Sequence, residues 1–113
     1  MRFSVNGDSW EIVEKENAEM ITKANDLEGF THGLTEYAEN TVYINKDTPN
    51  LKRTLYHELM HVWMYEYGHN QFSGRAWNNE DICEMVAASH NFIHSIAEAY
   101  FEPRSVQKLT EKE

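Results

Sequence analysis

Between Asn50 and Gly68 the chain has the pattern of a single amphipathic helix. Leu51, Leu55, Leu59 and Val62 recur at spacings of three and four, which lines one face of a helix with apolar side chains. Pro49 suits the first turn, with Thr48 or Asp47 before it as cap, and the helix is predicted to run over 50–67 and stop at Gly68. A helix with one apolar stripe gains most of its stability from whatever covers that stripe. The rest of the chain must therefore supply a covering layer.

The residues before it read mostly as strands. Arg2 to Glu14 alternates around Asn6-Gly7-Asp8-Ser9, with Phe3, Val5, Trp10 and Ile12 apolar, and predicts a hairpin. Asn17 to Leu27 has helical spacing behind a cap at Asn17 and before Gly29. Thr31 to Tyr37 and Thr41 to Lys46 predict two further strands around Ala38-Glu39-Asn40, the second with β-branched and aromatic residues in TVYIN. After the helix comes a polar loop, His69 to Trp77. A last helix follows, capped by Asn78 or Asn79, with Ile82, Val86, Ser89, Ile93, Ile96 and Tyr100 as its stripe and Pro103 as its end. The expectation is one α+β domain over 1–103, a small twisted sheet of three to five strands packed on two helices, and a polar tail over 104–113.

Charge and cysteine content narrow the function. Nineteen acidic against ten basic residues give a net charge of −9, which repels phosphate backbones and argues against direct nucleic-acid binding. The single cysteine, Cys83, forms no internal disulfide and is expected as a small buried thiol. The start MRFSVNGDSW has no apolar run of signal-peptide length, and no stretch approaches the roughly 18 apolar residues of a membrane span. A cytoplasmic location without membrane attachment is expected.

The chemistry concentrates in His57-Glu58-Leu59-Met60-His61. Residues four apart on a helix share a face, so both imidazoles can reach one metal ion, with zinc expected at one Zn2+ per chain. Glu58 lies beside that face, where it can take a proton from a water in the open coordination position without being a ligand itself. Zinc sites of this kind use three protein ligands, so a third must come from elsewhere. The continuation HExxHxxGxxH would need glycine at 64 and histidine at 67, where this chain has Met64 and Tyr67. His69 can swing back after Gly68, and Asn79-Glu80-Asp81-Ile82-Cys83-Glu84 offers carboxylates at the start of the last helix.

That last stretch resembles the NExxxD signature of thermolysin-like gluzincins. The resemblance implies Glu80 as third ligand and Glu84 as the acid that orients the His57 imidazole. Glutamate replaces aspartate at 84, and its longer side chain leaves Glu84 open as an alternative ligand. The wider run TVYIN…LYHELMHVWMYEYG…WNNEDICEMVA, about residues 40–95, also resembles small metallopeptidases of the ImmA/IrrE kind and similar proteins of phages and mobile elements. It implies a minimal zincin-like fold with a C-terminal ligand helix, and cleavage of a regulatory or host protein.

The expected activity is thus zinc-dependent hydrolysis of a protein or peptide, with Glu58 as the base. Tyr65, Tyr67 and His69 are candidate donors to the developing oxyanion. Thr41, Val42, Tyr43, Ile44 and Asn45, if they form a sheet edge, could pair with an extended substrate. Two other classes share these residues: a non-catalytic zincin-derived module that binds a partner, and a metal-dependent hydrolase of a small molecule. An intact Glu58 and a lone cysteine argue against a purely structural zinc, which commonly takes four protein ligands. His90 and His94 read as a surface pair. Of Trp63, Tyr65, Tyr67 and Trp77, half or more are expected in the core.

Overall fold

The computed structural model describes residues 1–24, 29–68 and 77–111, with side chains as far as residue 102. It divides into two compact units, Met1–Arg75 and Ala76–Glu113. In the first, β1 (Arg2–Val5) and β2 (Asp8–Lys15) form the expected hairpin. Its turn places Asn6 at φ 50° and Gly7 at φ 84°, the two left-handed residues that a tight hairpin turn requires. Next come α1 (Asn17–Ala24), β3 (Gly33–Glu36), β4 (Thr41–Asn45) and α2 (Leu51–Glu66).

The four strands order as β1-β2-β4-β3, with β2 and β4 parallel and the other pairs antiparallel. A parallel pair needs a crossover connection, and the chain makes it through α1 and β3. Thr41–Asn45 therefore lies inside the sheet, paired on both sides, and is not the edge that the substrate-pairing expectation required. Its run of four buried residues, Val42 to Asn45, belongs to a strand covered on both faces.

Registers assign the faces. Ile12 and Thr35 both pair with Val42, so Ile12, Val42, Thr35 and, two residues along, Gly33 and Ile44 share one face. That face carries α2, whose Leu55, Leu59 and Val62 are fully buried, each contributing about 1.5–3 kcal/mol. The opposite face carries α1: Asn45 Nδ2 donates to Asn17 Oδ1 at 2.8 Å, and Lys23 Nζ sits 4.5 Å above the Tyr43 ring.

Both helix starts in this unit differ from expectation. The Glu16 carbonyl accepts from the amides of Glu19 and Met20 at 3.0 Å, so the cap of α1 is Glu16, and the predicted cap Asn17 is its first helical residue. Asn17 instead holds Asn45 and donates to the Gly29 carbonyl at 2.7 Å. The cap of α2 is Asn50, with no side-chain capping bond, and Pro49 stands before it. The Thr48 hydroxyl is drawn into contacts with His32 and Thr54. The stop at Gly68, φ 79°, is as expected.

The second unit contains α3 (Asn79–Glu111). Asn78 caps it reciprocally with Asp81: Asp81 N donates to Asn78 Oδ1 at 2.8 Å and Asn78 N to Asp81 Oδ2 at 3.1 Å. The helix continues through Pro103, where the sequence predicted its end. A proline removes one hydrogen bond and crowds one carbonyl, a local cost that helix formers on both sides can outweigh. The predicted stripe is also corrected. Met85, Ser89, Ile93 and Ala97 are buried, whereas Ile82 and Val86 are 47% and 56% exposed. Periodicity identifies a face but not how much of its length is covered. Cys83 is exposed rather than buried. Among the described residues no helix is long and apolar enough to cross a membrane.

Candidate active site

The apolar stripe of α2 faces the sheet and turns His57 outward, leaving its side chain 66% exposed. His61 follows one turn later. Their Nε2 atoms lie 3.2 Å apart, with ring planes inclined at 75°. Two nitrogens each 2.0–2.1 Å from a tetrahedral ion would be separated by about 3.3 Å, so this pair suits zinc as two of its ligands. The same separation suits a hydrogen bond between neutral imidazoles.

Glu58, next along the helix, turns toward the sheet and is 7% exposed. Its Oε1 accepts a 2.8 Å hydrogen bond from Thr35 Oγ1, and its Oε2 lies 4.0 Å from His57 Nε2. Thr35 is on β3, on the face that carries α2, and is itself buried. Burying a carboxylate costs several kcal/mol unless hydrogen bonds compensate, and one to an ionised group returns only about 1.5–3 kcal/mol. The fold thus tethers one carboxylate oxygen beside two imidazoles.

Gly33 sets how closely α2 approaches β3. A Cβ there would lie 2.8 Å from Thr54 Cγ2 and 2.9 Å from Glu58 Cγ, so only glycine fits without displacement. A cleft of about 400 Å³ opens beside it, lined by His32, Gly33, Asn50, Arg53, Thr54, His57 and Glu58. A second, of about 510 Å³, runs along the outer side of α2 past Tyr56, Met60, His61 and Met64. Arg53 and His57 border both. The His32 ring is held by Nδ1 at 2.8 Å from Thr48 Oγ1 and by a T-shaped contact with the Phe30 ring.

No family model, no curated protein and no solved structure matches the chain.

His57, Glu58 and His61 therefore come together on α2. Glu80 and Glu84 lie on α3 of the second unit, both exposed, and His69 is outside the described residues. Among the described residues no group of three or more His, Cys, Asp or Glu side chains is gathered for a metal. Tyr65 packs between Trp10 and Tyr37, Tyr67 lies against Trp63 with the rings tilted at 41°, and neither of these expected oxyanion donors lines the two clefts. Of the proposed aromatic group Trp63 is buried and Tyr67 exposed. The Tyr43 hydroxyl is engaged too: its hydrogen bond to Glu39, with burial and the Glu36 and Glu11 charges, pushes its pKa up to about 12. His90 and His94 are exposed and stacked, 5.7 Å apart.

Sequence reasoning missed Thr35, Gly33, His32 and Arg53. A glycine inside a strand pattern is itself a signal of close backbone approach, and Thr35, two residues on, shares its face.

Proposed function

We propose that this protein is a zinc-dependent metallopeptidase, a small gluzincin-type enzyme acting on a protein or peptide. The observation that carries the reading is the α2 triad: two imidazole Nε2 atoms 3.2 Å apart beside a buried carboxylate tethered at one oxygen. His57 and His61 would hold the ion. When bound, zinc supplies Lewis acidity, which polarises a carbonyl and acidifies a water.

The chain's own residues do the rest. Glu58 Oε1 is occupied by the Thr35 hydroxyl, which leaves Oε2, on the His57 side, to accept the proton of the attacking water. The same oxygen returns that proton to the amine nitrogen as the peptide bond breaks. Burial keeps the carboxylate poorly solvated and oriented before substrate arrives. The strand edge beside this carboxylate is β3, not β4, so an extended substrate would pair there. Glu80, with Glu84 as the alternative, would complete the ligand set.

Elemental analysis of the purified protein tests the reading, with about one equivalent of zinc expected. His57→Ala and His61→Ala should each abolish it, whereas Glu58→Gln should keep metal and fold while losing hydrolysis. Absence of any transition metal after titration would overturn the proposal. Undiminished turnover by Glu58→Gln would overturn the role of the base.

A further inference from the structure

We infer that the cleft beside Glu58 binds a carboxylate of the substrate through Arg53. Arg2, Lys15, Lys23 and Lys46 each pair with a glutamate, at 3.3, 3.5, 4.0 and 2.9 Å, and Lys52 lies over the Tyr56 ring. Among the described side chains Arg53 is the cation left without such a partner. It is exposed, and it borders both clefts that meet at His57. In a chain of net charge −9, a guanidinium left free of carboxylates at the mouth of a cleft is available to an anion from outside.

The remaining lining favours the same ligand. Asn50, Thr54 and His32 bring amide, hydroxyl and imidazole donors to the cleft, and Glu58, its one carboxylate, has an oxygen occupied by Thr35. A guanidinium offers paired N–H donors that match a carboxylate's two oxygens. Arg53 precedes Glu58 by five residues, about 7.5 Å along the helix axis. An extended peptide advances about 3.3 Å per residue. The carboxylate read by Arg53 then lies about two residues from the bond presented to Glu58, as an acidic side chain or as the free end of a short peptide.

This placement rests on the peptidase reading, whereas carboxylate binding itself does not, and the test separates the two. The full-length protein is titrated, with and without zinc, with N-acetyl-aspartate amide, N-acetylalanine and neutral N-acetyl-asparagine amide, and followed by NMR at the Arg53 Nε–H and the Gly33 amide. Saturable shifts with the charged probes and none with the neutral one are expected. A response to the first probe alone assigns an acidic side chain, to the second alone a chain terminus, and to both a shared carboxylate site. Arg53→Gln should weaken binding at least about tenfold, Arg53→Lys less, and Lys52→Gln not at all. Equal binding of charged and neutral probes, no binding, or unchanged affinity in Arg53→Gln would each overturn the inference. Loss of the peptidase reading alone would leave the metal-free titration unaffected.

Discussion

The Thr35 hydroxyl lies 2.8 Å from Oε1 of Glu58, joining the edge strand β3 to α2 through one hydrogen bond to a buried carboxylate. On the proposed peptidase reading Thr35 is a positioning residue: it holds one oxygen of Glu58 and leaves the other, Oε2, on the His57 side.

Thr35→Val keeps the side-chain shape and removes the donor. Losing a hydrogen bond to a charged group costs about 1.5–3 kcal/mol, so kcat should fall about tenfold or more with KM and zinc content nearly unchanged. Thr35→Ser should restore most of the rate. A purely structural threonine would instead lower the melting temperature and leave kcat per folded molecule intact.

Gly33 makes a prediction about packing alone. Alanine there brings a Cβ to 2.8 Å from Thr54 and 2.9 Å from Glu58, and overpacking of this kind costs about 1–3 kcal/mol. Urea denaturation of Gly33→Ala should show that loss. An unchanged midpoint would mean that α2 can withdraw from β3 at no cost in stability.

Glu66 predicts a pH dependence unconnected with catalysis. Burial raises its pKa, the Trp10 Nε1 hydrogen bond at 3.1 Å opposes this, and Asp8 raises it further through a hydrogen bond and like charge. A folded-state pKa above the unfolded value means that the native state binds this proton more tightly. Its stabilising contribution is full below the ordinary carboxylate range and is lost as pH rises through the folded-state value. Glu66→Gln keeps an acceptor for Trp10 and removes the charge. The variant should be more stable than wild type at pH 7, with the gain shrinking as pH falls toward 4.

Local signals made much of the first unit legible in the sequence. Asn6-Gly7 specified the hairpin turn, the leucine stripe specified α2, and the four-residue spacing of His57 and His61 specified that these two side chains share its outer face. What sequence reasoning missed depends on strand order. Thr41–Asn45 looked like a strand of either kind, and only its pairing with both β2 and β3 makes it central and β3 the edge. The Thr35–Glu58 bond spans 23 residues, and no local pattern reports such a contact. The α3 stripe held at Ser89 and Ile93, which are buried, and failed at Ile82 and Val86, which satisfy the period without being covered.

Glu80 and Glu84 differ in what their loss should do. On α3 they share a face about 6 Å apart, so each could serve a metal centre, one as ligand and one through an imidazole. Glu80 lies within the first turn of α3, between the capping partners Asn78 and Asp81. Removing a ligating carboxylate leaves two histidines and should weaken zinc severely. Removing an acid that only orients an imidazole typically costs about 10- to 100-fold in affinity or activity. Zinc retention under graded chelation should therefore fail early in Glu80→Ala and persist, weakened, in Glu84→Ala. The reverse order would assign the third ligand to Glu84, and zinc binding unchanged from wild type in both variants would transfer it to His69.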